Sequence, residues 1–134
     1  KKISLFLVSC FLFVAIICNF SCTGTSGIVE KITVYSNLMK KQVPVIVVKH
    51  QLTTPQINLP VVYLLHGHDQ NQTQWLRDVP KLVNTVDKLN IILVFPDGGS
   101  RSWYFDSPID STMRYESFIT KDLITYIDTH YNTI

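Results

Sequence analysis

Cysteine is nearly absent from the part of this chain that can build a domain. Three occur in 134 residues; Cys10 and Cys18 lie within the apolar run Ile3–Cys18, leaving Cys22 alone. No disulfide framework can be made from that supply. Charged residues are also few, at 16%, and the basic ones never cluster or interleave with aromatics. That excludes nucleic acid as a partner. No repeat or low-complexity stretch occurs. What is abundant is apolar and aromatic side chain, 46% and 11%, the composition of one packed domain.

The long apolar run has a recognisable layout. Lys1 and Lys2 precede ISLFLVSCFLFVAIIC, and the small-residue stretch SCTGTSG follows, as in a secretory signal. The run is short for a spanning helix and no basic stop-transfer cluster follows it; a retained membrane anchor is the alternative. Cys22, after Ser21 at the expected cleavage point, resembles the lipidated first residue of a bacterial lipoprotein. Asn19 departs from that pattern, since such signals carry Leu there. Leu7-Val8-Ser9-Cys10 fits it locally but has only a handful of apolar residues before it. An ordinary secreted protein with one free cysteine is the plainer reading. The organisation expected is a signal peptide over 1–22, with Cys22 the lipidation site, and a folded domain over 23–134, exported to the periplasm, cell surface or medium. Without Lys1 and Lys2, the 12 basic residues fall to 10 against 10 acids, so the mature chain is formally neutral.

Periodicity then orders the elements. Ile28–Ser36 alternates partially and reads as a strand with one wet face. A polar turn over 37–42 leads to a second strand, Val43–Val48, where Pro44 predicts an edge or a first position. Residues 51–60 carry two prolines and no period, so they form a loop. Val61–Leu65 is a continuous apolar run, the pattern of a strand covered on both faces. Asp78 can cap a helix whose stripe is Val79, Leu82, Val83, Val86 and Leu89, with Pro80 in its first turn and Asn90 as its stop. Ile91–Phe95 is a second buried strand, ended by Pro96-Asp97-Gly98-Gly99. A loop to about Met113 holds Trp103, Tyr104 and Phe105. A last helix carries Tyr115, Phe118, Ile119, Leu123, Tyr126 and Ile127. Two solvated strands, then buried strands alternating with helices, predict a parallel sheet with helices on both faces. The chain stops after a helix, where another strand is expected.

The chemistry-bearing stretch is VVYLLHGHD, residues 61–69, where a buried strand runs into His66-Gly67-His68-Asp69. His66 and His68 as H-x-H could begin a metal site, but three or four converging donors are needed. Gln70 and Asn71 follow where an Asp-His pair would, and His50 and His130 lie elsewhere. Either histidine could act as a base, but no serine or cysteine stands nearby as nucleophile. A histidine at a strand end is more commonly bonded to backbone. In the third reading the side chains matter less than the amide after Gly67, aimed at a developing oxyanion.

Four motifs recur together here: Tyr63-Leu64-Leu65-His66-Gly67 with Trp75 nine residues past His66; Phe95-Pro96-Asp97-Gly98-Gly99; Ser102–Pro108; and Tyr115-Glu116-Ser117-Phe118-Ile119. In this spacing, over about residues 28–134, the chain resembles the esterase D family of α/β-hydrolases. The similarity is to tributyrin-esterase-like and feruloyl- or xylan-esterase-like secreted members. The resemblance implies an α/β-hydrolase fold, three-layered with a mostly parallel sheet, and serine carboxylesterase activity with a Ser-His-Asp/Glu triad and no cofactor or metal. It implies that His68 gives its backbone N–H to the oxyanion hole, and that Trp103, Tyr104 and Asp106 border the substrate pocket. Asp97 is expected to form a turn rather than serve as the triad acid, and Glu116 to cap the last helix.

One motif of that family is missing. No G-x-S-x-G occurs in the 134 residues, and family order places that elbow just beyond Ile134. The expectation is an amino-terminal part, truncated before the nucleophile elbow and inactive alone. Its parent would act on a small-molecule or carbohydrate ester, touching membrane only through the anchor. The rival is a non-enzymatic surface carbohydrate-binding protein that keeps the hydrolase shell and aromatic loop.

Overall fold

The computed structural model describes residues 27–51 and 57–134. The signal segment, Cys22 and part of the proline-containing loop lie outside the described residues. Among the described residues no helix is long and apolar enough to cross a membrane.

β1 (Ile28–Ser36) and β2 (Lys41–Lys49) form an antiparallel hairpin in unbroken register from Ile28↔Lys49 to Ser36↔Lys41. Four residues make the turn, so no parallel crossover is possible there. Lys40 adopts φ 54°, and the Asn37 backbone and side-chain N–H groups donate to Asp122, at 3.0 and 2.7 Å. β3 (Val61–Tyr63) and β4 (Ile92–Pro96) complete a four-stranded sheet of order β1-β2-β4-β3. β4 runs antiparallel to β2 and parallel to β3. Among the described residues, then, the parallel character expected of the whole sheet is confined to β3–β4.

Three strand readings are revised. β2 is neither solvated nor at an edge: β1 and β4 flank it, and Val43 and Val45–Val48 are all buried under the helices on the two faces. Pro44 is tolerated there because its carbonyl, and therefore its hydrogen-free nitrogen, faces past the end of β4, where it accepts the Asp97 N–H at 2.9 Å. β3 is shorter than the apolar run, and Val62 is 39% exposed. It is the outer strand of the described sheet and has a ladder on one side only.

The helix expected after Asp78 forms in two pieces, and a turn of helix that was not expected precedes them. α1 is Gln74–Asp78, a 3₁₀ turn spans Pro80–Asn84, and α2 is Thr85–Leu89. Asp78 ends α1 rather than capping the next piece, and its carboxylate takes the Arg77 guanidinium at 2.8 Å. Pro80, which has no N–H, opens the 3₁₀ turn. Asn90 stops α2 as expected, in the left-handed region at φ 52°. Leu82, Val83 and Val86 pack on Ile46, Val48, Leu93 and Phe95, whereas Val79 and Leu89 are exposed.

The last helix comprises α3 (Tyr115–Ser117), a π segment over Phe118–Leu123, and α4 (Ile124–His130). Its buried stripe, Tyr115, Phe118, Leu123 and Ile127, covers the opposite face of the sheet against Val43, Val45, Val47, Ile92 and Val94. Phe118 and Leu123, five apart, would be about 140° out of phase in an ordinary helix. The wider π turn returns both to one side. Helices thus cover both faces, and the carboxyl ends of β3 and β4 open side by side at one rim.

Candidate active site

At that rim the chain leaves β3 through three successive peptide units, each held differently. The Leu65–His66 unit is pinned at both ends: Leu65 O accepts the Trp75 indole N–H at 2.9 Å, and the His66 N–H donates to the Tyr104 hydroxyl at 2.8 Å. The next unit is held by its N–H, which Gly67 donates to Gln74 Oε1 at 2.7 Å. The third is held by its carbonyl: Gly67 O accepts from His66 Nδ1 at 2.8 Å and from the Gln70 N–H at 3.2 Å. In a trans peptide the N–H and C=O point in opposite directions. Anchoring Gly67 O inward therefore turns the His68 N–H outward. Beyond it, the Asp69 N–H donates to Ser100 O at 2.9 Å. Of the five amides from His66 to Gln70, that of His68 alone has no acceptor among the described residues.

His66 is a structural histidine. It is 6% exposed, and its Nε2 accepts the Gly98 N–H at 2.8 Å while Nδ1 faces Gly67 O. That pattern needs a proton on Nδ1 and a lone pair on Nε2. Asp97 Oδ1 lies 3.4 Å from Nε2, too far to displace this bond, and accepts the Gly99 N–H at 2.8 Å instead. Asp97 thus forms a turn, as the sequence predicts. With both ring nitrogens engaged by backbone, His66 is free neither as a metal ligand nor as a base. Among the described residues no three His, Cys, Asp or Glu side chains converge as a metal-binding group.

The facing wall is the loop after β4. Gly99 has φ 69°, and a methyl group at Gly98 would overlap the Tyr104 ring. Ser102 Oγ donates to Gly98 O and accepts the Tyr104 N–H at 2.9 Å. Trp103 and Tyr104 both take left-handed φ, 55° and 57°. Each such non-glycine residue costs about 1–3 kcal/mol, and such strain concentrates at ligand-binding sites. Burial, aided by Asp97 and Tyr115, pushes the Tyr104 phenol up to about 12, against the lowering effect of the His66 N–H. Tyr104 therefore stays neutral and holds the loop. Trp103, 76% exposed, tilts over the His68 imidazole with centroids 5.7 Å apart.

Between the walls lies a cavity of about 140 Å³ lined by His66, Gly67, His68, Gly99, Ser100, Trp103 and Tyr104. Three of the four candidate residues meet there: His68, Trp103 and Tyr104. Asp106 does not line it. Both its oxygens are taken by Ser117, from the N–H at 3.0 Å and the hydroxyl at 2.6 Å. Burial works to raise the Asp106 carboxyl, but the Ser117 bonds and nearby Arg114 and Lys121 outweigh it and hold it below the ordinary range. Asp106, rather than exposed Glu116, thus ties down the start of the last helix. Sequence reasoning missed Gln74 as an acceptor; its one signal was its place before Trp75.

The geometry has relatives. A ferulic acid esterase structure superposes with a TM-score of 0.68 at 23% identity, over 81% of this chain and 46% of that one. An S-formylglutathione hydrolase from Agrobacterium tumefaciens gives 0.68 at 17% identity, over 82% and 46%. A ferulic acid esterase from Anaeromyces mucronatus, in complex with ferulic acid, gives 0.61 at 20%, over 81% and 45%. The chain thus shares the α/β-hydrolase fold and spans less than half the length of these structures. No curated protein sequence matches it. The sequence profile described as "Putative esterase" matches residues 36–134, the hairpin's end through the last helix, and by that match the chain belongs to this esterase family.

Proposed function

We propose that this chain supplies the oxyanion-hole side, and part of the substrate pocket, of a serine carboxylic-ester hydrolase. One observation carries the reading: in a loop whose other amides are all taken, the His68 N–H is left pointing outward beside a cavity. A backbone donor fixed in advance at the site of developing charge lowers the barrier without reorganising. In the reaction a serine Oγ attacks the ester carbonyl, and the carbonyl oxygen takes negative charge and receives the His68 N–H. The second donor is the amide following the serine. The alkoxide leaves with a proton from the triad histidine, and water resolves the acyl-enzyme. Trp103 and Tyr104 border the pocket, and Asp106 braces their loop from behind. The serine, histidine and acid are supplied by sequence other than these 134 residues, so this chain alone turns over no ester. Family membership, and the names of the superposed enzymes, support an acyl ester of a small molecule or carbohydrate as substrate. The Lys1–Cys22 segment supports export, with Cys22 as lipid anchor.

The direct test uses the full-length protein and p-nitrophenyl acetate. His68→Pro deletes the amide hydrogen and is expected to lower kcat by about 10²–10³, the cost of one oxyanion donor. His68→Ala keeps that hydrogen and is expected to cost less than about tenfold. Equal losses in two folded variants would contradict the reading. So would a residue without a nucleophilic side chain at the elbow of the complete coding sequence, which would favour a carbohydrate-binding role. Activity lost on chelation and restored by zinc would point back to the histidine side chains.

A further inference from the structure

Gly67 is not confined by its surroundings. A Cβ built on it would meet nothing nearer than the Gln74 side-chain amide, at 3.6 Å to the oxygen and 3.8 Å to the nitrogen. Glycine is the residue whose flanking peptides rotate most freely, and this one sits directly before the outward amide. Sterics therefore leave its orientation open. The neighbouring units are each held twice: Leu65–His66 by Trp75 and Tyr104, and Gly67–His68 by His66 and Gln70. The unit between them is held at its N–H by Gln74 Oε1, at 2.7 Å.

We propose that Gln74 is a positioning residue for the oxyanion hole, selecting which amide is offered to the substrate; this rests on the oxyanion role of His68. By occupying the Gly67 N–H, Gln74 stops that amide from turning into the cavity as a competing donor. It also fixes the plane from which the His68 N–H is aimed. The device is built into the start of α1, where Gln74 and Trp75 are consecutive and seize the loop at Gly67 and Leu65. Gln74 never touches the reacting atoms. Its contribution is registered only when charge develops on the carbonyl oxygen, in the tetrahedral state rather than in the bound ester.

The test is Gln74→Leu in the full-length enzyme, which removes the acceptor at similar size. Rates are normalised to sites titrated with a fluorophosphonate probe, so that unfolded protein is not counted. The expected result is a kcat about 10–100-fold lower, the scale of a misaimed catalytic group, with KM moved less than about threefold. A boronic acid that forms a tetrahedral adduct should lose affinity by the same factor as kcat, and the Gly67 amide should exchange faster with deuterium. A kcat per site within about twofold of the parent overturns the proposal, even if melting temperature or titratable sites fall, since that is a structural role only. His68→Pro in the same assay separates the two claims. If it is folded and fully active, the oxyanion reading fails; if it is inactive while Gln74→Leu is not, only the inference about Gln74 fails. Should Gln74→Leu not fold, Gln74→Asn, which keeps the amide and shortens its reach, carries the same expectations.

Discussion

At the scale of single residues, the site is made by acceptors rather than by reactive side chains. Tyr104 shows how narrow the tolerance is. Its ring fills the space a side chain at Gly98 would need, and its hydroxyl takes the His66 N–H. Gly98→Ala is therefore expected to cost about 1–3 kcal/mol through overpacking, measured by urea denaturation of the full-length protein, and to lower activity with it. Asp106 gives a pH signature. Its folded pKa lies below the ordinary value of 3.8, so its contribution is present in full above that value and is lost as pH falls through the folded one. The melting-temperature gap between parent and Asp106→Ala should be widest above about pH 5 and should narrow below about pH 3. The sequence made His66 legible as a structural histidine, because a base needs a nucleophile beside it and none was there. It could not disclose Gln74 or the role of Asp106. Both act by accepting backbone hydrogens from seven and eleven residues away in sequence, and no local pattern records where a flexible side chain will reach.

At the scale of elements, hydrophobic phase was legible and boundaries were not. Every residue of the last helix's predicted stripe lies in or against the core. Yet the five-residue step from Phe118 to Leu123 does not fit an α-helical period, and the chain absorbs it as a π turn. Deleting exposed Thr120 should convert that turn to ordinary helix, keep Phe118 and Leu123 on one face, and leave the fold intact. Deleting exposed Thr125, inside α4, should instead rotate Ile127 off the core. That should cost about 2–5 kcal/mol, the range for emptying a buried aliphatic position. Denaturation of the two deletion variants, compared by circular dichroism, checks the contrast. Between β3 and β4 the helical turn Gln74–Asp78 was not foreseen. Pro80, expected in a first turn, does open a helical piece, because a residue without an N–H begins a helix more easily than it continues one. The turn upstream of it is the one that brings Gln74 and Trp75 to the loop.

At the scale of the whole molecule, β2 joins two separate cores. Val43, Val45 and Val47 face the last helix, while Ile46 and Val48 face α2 and its neighbours. Phe118→Ala in one core and Phe95→Ala in the other should each cost about 3–5 kcal/mol, both being fully buried. Each should lower one common denaturation midpoint rather than melting its own layer. Two transitions in either variant would show that the layers unfold independently. Pro44 made β2 look like an edge strand, because β4, its second neighbour in the sheet, lies far downstream in sequence. That separation has a cost during synthesis. Some forty residues lie between Lys49 and Ile92, so at about 5–20 residues per second β4 reaches completion several seconds after β2. Over that interval the hairpin, closed by a four-residue turn, displays apolar side chains on both of its faces. The strand that unites the cores thus waits on the nascent chain with apolar surface uncovered until β4 is made.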